Sequence, residues 1–226
     1  MVGEIEKAKK NAGEKALEFV EEGMILGLGT GSTVEYTIRK LADLIKKKEI
    51  KVVGIPTSKK TEKLAKSLNI PLSSLDEYAE LDLCIDGADQ VDAKFNLIKG
   101  HGGAHTREKI VATASKNYVI VVDYRKIAKF LNIPIPVEVL EFSKSFVEKK
   151  LMNIGGRPKL RKNFITDNSN LILDTKFEFS IKSPKKLELK INEIPGVVEN
   201  GIFSKRKPEW LIVGYENKVE MIRRKQ

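Results

Sequence analysis

Cysteine is almost absent from this chain. The single residue, Cys84 among 226, cannot form an internal disulfide. That excludes a disulfide-stapled secreted scaffold and fits a reducing compartment, the cytoplasm. Cys84 sits in the apolar run LDLCI, where a buried strand cysteine accounts for it better than a nucleophile does. No apolar run approaches the roughly 18–20 residues needed to span a bilayer. The first residues, MVGEIEKAKKNAGEKALEF, are charged and helix-like and hold no apolar signal core. Aromatic residues make up only 7%. No aromatic-plus-basic signature of RNA binding is present, and no dense basic arm. The net charge of +10 is spread along the chain and interleaved with acids. It reads as a solvated, lysine-rich surface with a few cations serving a small anionic substrate, not as a nucleic-acid footprint. No tandem repeat or low-complexity tract is present.

What the chain does have is globular composition, with 41% hydrophobic and 32% charged residues, enough for a full core. Residues 4–22 read as an amphipathic helix. Short apolar strands at 24–29, 51–56, 81–87 and 118–123 alternate with helical segments at 32–48, 58–69 and 104–116. That alternation predicts an α/β fold with a parallel, doubly wound sheet. The pattern changes after about Asn132. A proline-bearing strand (133–142), a helix (143–154), a turn at Gly155-Gly156-Arg157-Pro158, a hairpin centred on Asn168-Ser169-Asn170 and a helix (185–194) follow. This order predicts a small α+β domain of split-βαβ type. Residues 209–222 read as a terminal hairpin that rejoins the first sheet.

Three motifs carry chemistry. GLGTGST (27–33) lies between a strand and a helix, where a glycine-rich turn lets backbone N–H groups approach a phosphate. It lacks the sixth-position glycine of a dinucleotide fingerprint and the Gly-Lys-Ser/Thr of a Walker loop. The bland alternative is a tight turn with Ser32 or Thr33 as helix cap. DGAD (86–89) closes a strand at its C-terminal end, where open α/β sheets place ligands. Asp86 and Asp89 have the chemistry to hold a metal, bind sugar hydroxyls or shuttle a proton, although Asp and Gly also make plain turns. KGHGGAHTRE (99–108) joins a lysine, a glycine loop and a glutamate in the first turn or so of a helix. Lys99 suits a developing oxyanion, and Glu108 suits a general base. For a lone glutamate the helix dipole would explain the position; the company of loop, lysine and aspartates favours a site. His101 and His105 have zinc-like spacing, but the glycines between them disfavour a shared helix face. Surface or hydrogen-bonding roles are simpler.

The chain resembles the type A family of ribose-5-phosphate isomerases. GLGTGST, DGAD, KG-x-GG-x-x-x-RE, VVDYRK (121–126), IPIPVEV (133–139), GGRP (155–158), TDNSN-LILD (166–174) and IPGVVENGIF (194–203) follow the family's order nearly end to end. The resemblance implies a Rossmann-like catalytic domain over 1–131 and 206–226, with a ferredoxin-like domain over 132–205. It implies interconversion of ribose 5-phosphate and ribulose 5-phosphate through an enediolate, without metal or organic cofactor, by a homodimer or homotetramer. Glu108 would be the base and Lys99 the oxyanion partner. Asp86 and Asp89 would assist ring opening and bind sugar hydroxyls. Thr30, Gly31, Ser32, Thr33, Gly87, Ala88, Gly100, His101 and Gly102 would contact substrate, and Lys9 and Lys126 would hold the phosphate.

Three positions depart from the family pattern. His101 stands where glycine is common, His105 where an aliphatic residue is common, and Ser169 where a hairpin glycine is frequent. Other readings of the same architecture are a sugar-phosphate-sensing regulatory domain without turnover, an amino-sugar phosphate deaminase and an acyl-CoA transferase.

Overall fold

The structure is a computed structural model that describes residues 2–177 and 181–225. The chain divides into two compact units. One takes the residues up to Ala88, Arg107–Lys126 and those from Pro208 onward; the other takes Asp89–Thr106 and Ile127–Lys207. The second unit thus includes residues 89–106 as well as the stretch expected from 132 to 205.

The first unit opens with α1 (Val2–Lys15), which tightens into a 3-10 turn over Ala16–Phe19, so the helix expected over 4–22 ends early. Then come β1 (Ile25–Leu28), α2 (Val34–Lys46), β2 (Val53–Pro56), α3 (Lys59–Ser67) and β3 (Leu81–Asp86). The second unit begins with two very short strands, β4 (Gln90–Asp92) and β5 (Leu97–Ile98). Helix α4 (His105–Ala114) starts on its last two residues and continues in the first unit, followed by β6 (Ser115–Asp123). The second unit resumes with β7 (Ile127–Ala128), β8 (Ile135–Val139), α5 (Lys144–Asn153), β9 (Gly156–Leu160), β10 (Leu171–Phe177), α6 (Pro184–Asn192), β11 (Val197–Asn200) and β12 (Ile202–Phe203). Strands β13 (Trp210–Gly214) and β14 (Val219–Arg223) return to the first.

In the first unit six strands form a sheet in the order β14-β13-β6-β3-β1-β2, parallel except for the β14 edge. The central β6 is buried from Val119 to Val122. That is why its sequence is a continuous apolar run and not an alternation. Leu26, Leu28, Leu83, Ile85, Val119, Val121 and Ile212 share one core cluster with Ala12 and Ala16 near α1 and with Val34, Ile38 and Leu41 of α2. The α2 residues recur at helical spacing and so form one stripe. Gly27 and Cys84 point to the other side, where Val111 of α4 packs. Helices therefore cover both faces, as the doubly wound reading requires. Cys84 is buried in β3.

In the second unit β8-α5-β9-β10-α6-β11 forms an antiparallel sheet in the order β11-β8-β10-β9. This is the split-βαβ arrangement, with a core of Val137, Val139, Val147, Leu151, Leu173 and Ile191. Two expectations shift here. Gly155 makes the turn at φ +87, but Gly156 already begins β9. The hairpin is β9 with β10, and the Asn168–Asn170 turn lies within its connection instead of joining two strands directly. A further sheet, β12-β5-β4-β7, has strands of two or three residues. Runs that short carry no periodicity, so only pairing distant in sequence, such as Ile98 opposite Ile202, reveals them. Among the described residues no helix is long and apolar enough to cross a membrane.

Helix α1 lies so close to β13 that a Cβ on Gly214 would come within 1.9 Å of the Ala8 carbonyl oxygen. Gly214→Ala must push the helix off the sheet. We expect a loss of about 1–3 kcal/mol in a denaturant melt, with the slope unchanged.

Candidate active site

In the first unit the candidate residues Thr30 to Thr33, Asp86 and Gly87 lie where β1 and β3 end. The Asp86 carboxylate is buried, 0% exposed. Its Oδ1 accepts hydrogen bonds from the backbone N–H groups of Thr30 (3.0 Å) and Gly87 (2.7 Å). Gly29 lies against the same carboxylate; a Cβ there would sit 2.3 Å from Asp86 Oδ1. Only glycine lets the loop come this close. The loop's first hydroxyl is held as well. Thr30 Oγ1 lies 2.8 Å from Thr57 Oγ1, 2.8 Å from Ser58 Oγ and 3.1 Å from Thr61 Oγ1. Thr61 Oγ1 in turn donates to the Gly29 carbonyl at 2.9 Å. Ser58 caps α3 by accepting from the Thr61 N–H at 3.0 Å.

Thr30 is therefore an anchor of the loop, and the residues after it are its open part. Gly31 adopts φ +134, and Gly31 and Ser32 are exposed. Thr33 occupies the cap position of α2 without a side-chain cap bond, so neither Ser32 nor Thr33 closes the helix start in the way the bland reading supposed. A helix start of this kind presents backbone N–H groups to an anion.

Both candidate phosphate lysines stand in the same unit. Lys9, on α1, donates to Glu6 at 2.7 Å, and Glu6 also accepts from the Tyr36 hydroxyl at 2.8 Å. The Lys9 bond first, then the Tyr36 bond, hold the Glu6 carboxyl below its ordinary range. Lys126 follows the C-terminal end of β6. Beside it the buried Asp123 pairs with Arg125 at 2.7 Å. Burial pushes the Asp123 carboxyl up, but the Arg125 bonds and charge outweigh it and leave the group lowered. Glu108, in the first turn of α4, is 4% exposed.

In the second unit Asp89, Lys99, Gly100, His101 and Gly102 lie on one strand-and-loop segment. The Asp89 carboxylate accepts from the His101 backbone N–H at 2.9 Å, and the Asp89 N–H donates to Ile98 O at 2.8 Å. Lys99 is 2% exposed; its N–H donates to Gly201 O at 2.9 Å, and its ammonium lies 5.7 Å from the Phe203 ring centroid. The two imidazoles serve different carbonyls. His101 Nε2 lies 3.1 Å from Pro134 O and His105 Nε2 3.3 Å from Glu199 O. A carbonyl only accepts, so Nε2 carries the proton in both rings. Among the described residues no three His, Cys, Asp or Glu side chains gather in a metal-sized cluster.

Three sets of residues escaped the sequence reading. The Thr57, Ser58 and Thr61 hydroxyls had no signal beyond a helix cap. Arg161 donates to the Gly100 and His101 carbonyls from a distant strand end. Glu138, fully buried on β8, accepts from Thr106, from Thr166 (2.8 Å), from Asn168 (3.1 Å) and from Asn170 (2.9 Å). It ties the first residues of α4 to the Thr166–Asn170 turn. Its one trace in the sequence is an acid in an otherwise apolar strand, PVEV.

A family model described as Ribose 5-phosphate isomerase A (phosphoriboisomerase A) matches residues 53–218. The ribose-5-phosphate isomerase A of Methanosarcina acetivorans is 47% identical over 201 residues, 86% of each chain. The structure of ribose 5-phosphate isomerase A from Methanocaldococcus jannaschii superposes with a TM-score of 0.92 at 41% identity, covering 96% of this chain and 99% of that one. A D-ribose-5-phosphate isomerase in complex with phospho-erythronic acid superposes with a TM-score of 0.94 at 40% identity, covering 97% and 99%.

Glu138 gives a pH-dependent test of the scaffold. Burial raises its pKa, but the Thr106, Asn170, Thr166 and Asn168 bonds together lower it below the usual value. A lowered folded-state pKa means the contribution is complete above the unfolded value, about 4.3, and disappears as pH falls through the folded one. Glu138→Gln should cost about 1–3 kcal/mol at pH 7. In urea melts the gap from wild type should narrow as pH drops below about 4.

Proposed function

The chain belongs to the ribose 5-phosphate isomerase A family, and from that premise we propose how its residues divide the reaction. The reaction is the aldose–ketose interconversion of ribose 5-phosphate and ribulose 5-phosphate. Glu108 removes the proton from C2 of the open-chain aldose and returns it to C1 of the enediolate. Lys99 offsets the negative charge that develops on the carbonyl oxygen. Asp89 binds sugar hydroxyls and assists ring opening. Asp86 supports the same step by aiming the Thr30 and Gly87 amides. The open part of the 30–33 loop, with Ala88, Gly100, His101 and Gly102, contacts substrate, and Lys9 and Lys126 anchor the phosphate.

The observation that carries this reading is the burial of Lys99 and Glu108, 2% and 4% exposed, in one strand-loop-helix segment. Lysine and glutamate are rarely this buried. Enolisation is a reaction that needs a carboxylate base and a cation, both shielded from bulk water. No observation favours the sensing domain without turnover. The lone buried cysteine supports a cytoplasmic location, and exposed Phe142, Phe146 and Leu140 support self-association as a homodimer or homotetramer, which light scattering would measure.

A direct assay of ribose 5-phosphate conversion, with EDTA present, tests the assignment. Wild type should turn over undiminished. Glu108→Gln should lose about 10²–10⁴-fold in kcat with little change in KM, because the base acts in the transition state. Full activity in that variant would move the base to another carboxylate. Lys126→Ala should raise KM while leaving kcat within a few-fold, and an unchanged KM would remove Lys126 from the phosphate site.

A further inference from the structure

The glycine loop that carries Lys99 at its base is gripped from outside by one guanidinium. Arg161 follows β9, and its Nη1 donates to both the Gly100 carbonyl (3.2 Å) and the His101 carbonyl (3.1 Å). Its other edge is committed to Asp174 on β10, with Nε donating to Oδ2 at 2.9 Å and Nη2 to Oδ1 at 2.5 Å. The guanidinium carbon lies 5.2 Å from the Phe164 ring centroid. That ring rests on the loop itself, since a Cβ on Gly103 would meet its Cζ at 2.1 Å. The pair is mostly covered, with side chains 16% and 29% exposed, so its bonds are stronger than those of a surface pair.

The consequence follows from peptide geometry. In a trans peptide the C=O of one residue and the N–H of the next point in opposite directions. Holding the Gly100 and His101 carbonyls toward Arg161 turns the His101 and Gly102 N–H groups to the other side of the loop. The first of these is seen to do so, because the His101 N–H donates to the Asp89 carboxylate. By the same peptide geometry, the Arg161 bond to the His101 carbonyl implies that the Gly102 N–H turns to that side too. Charge on the carbonyls also polarises these peptides and makes the amides better donors.

We propose that Arg161, fixed by Asp174, is a positioning residue of the isomerisation: it sets the amide face of the glycine loop that meets the oxygens of the enediolate. The inference rests on the assignment of this loop to the substrate. Arginine is required because the task needs a planar fork that engages a carboxylate on one edge and carbonyls on the other. A lysine ammonium cannot do both.

The test measures kcat, KM for ribose 5-phosphate, the inhibition constant of phospho-erythronic acid and the melting temperature. The variants are Arg161→Gln, Arg161→Lys and Asp174→Asn. The inhibitor's carboxylate places negative charge where the enediolate would carry it, so it reports on the intermediate, whereas KM reports on the ground state. We expect Arg161→Gln to lose about 10–100-fold in kcat and to weaken the inhibitor by a similar factor, with KM within about 3-fold. Arg161→Lys should not rescue it, and Asp174→Asn should show the same pattern to a smaller degree. A wild-type kcat and inhibition constant in any folded variant of Arg161 overturns the proposal. So does an equal rise of KM and inhibition constant, which would mark a loosened pocket and not an aimed loop. If Arg161→Gln does not fold, the lysine and Asp174 variants decide by the same criteria. Wild type without turnover would overturn the isomerase reading itself; turnover in wild type with unaffected variants overturns only this inference.

Discussion

The carboxylate of Asp86 is the constraint on which the loops at the first unit's strand ends depend. It sits at the end of a parallel strand, fully buried, and two backbone N–H groups converge on one of its oxygens. A buried charge is tolerable only with such bonds. The bonds in turn dictate the neighbouring chain: the β1 loop must pass within contact distance, which requires Gly29, and Thr30 must face the strand end. The hydroxyls of Thr57, Ser58 and Thr61 then hold Thr30 from the β2 side. Three strand ends are thereby locked into one rigid rim, and α2 starts from it.

The second unit solves the same problem with different means. Its glycine loop leaves the end of the short strand β5, and polar side chains brace it further along. Arg161 and Asp174 hold its carbonyl edge, Asp89 one of its amides, and Glu138 holds the helix start that follows. Glu138 satisfies four donors with two oxygens. A half-satisfied network of this kind would cost more than an apolar core. Completing it makes the Thr166–Asn170 turn and the first residues of α4 a single polar unit. In both units, then, flexible glycine segments gain definition from buried or half-buried charged side chains.

The large sheet was legible because burial on both faces writes itself as continuous apolar strands, and amphipathic helices as period-3.6 stripes. The split-βαβ domain was legible from element order. Element ends were less so: α1 tightens at Ala16 although its pattern continues, and Gly156 enters a strand that a glycine-rich stretch disguises as a turn. The sheet of β4, β5, β7 and β12 left no periodic trace, since its strands are shorter than one full alternation.

The motifs GLGTGST, DGAD and KGHGGAHTRE were fixed by local chemistry, and local chemistry is what a sequence displays. Glycine where backbones must approach, acids at strand ends and a glutamate at a helix start are each readable at their own position. Which of those groups act outward and which act as anchors is a matter of partners far along the chain. That Thr30 also anchors its loop is visible only once Thr57, Ser58 and Thr61 are seen around its hydroxyl. Arg161 and Glu138 read as ordinary residues of small strands until their carbonyl and hydroxyl partners are seen. Hydrogen bonds between residues dozens of positions apart leave no periodicity and no spacing rule. The sequence therefore determined the fold class and the chemical inventory, and the tertiary structure alone decided which side chains hold the loops in shape.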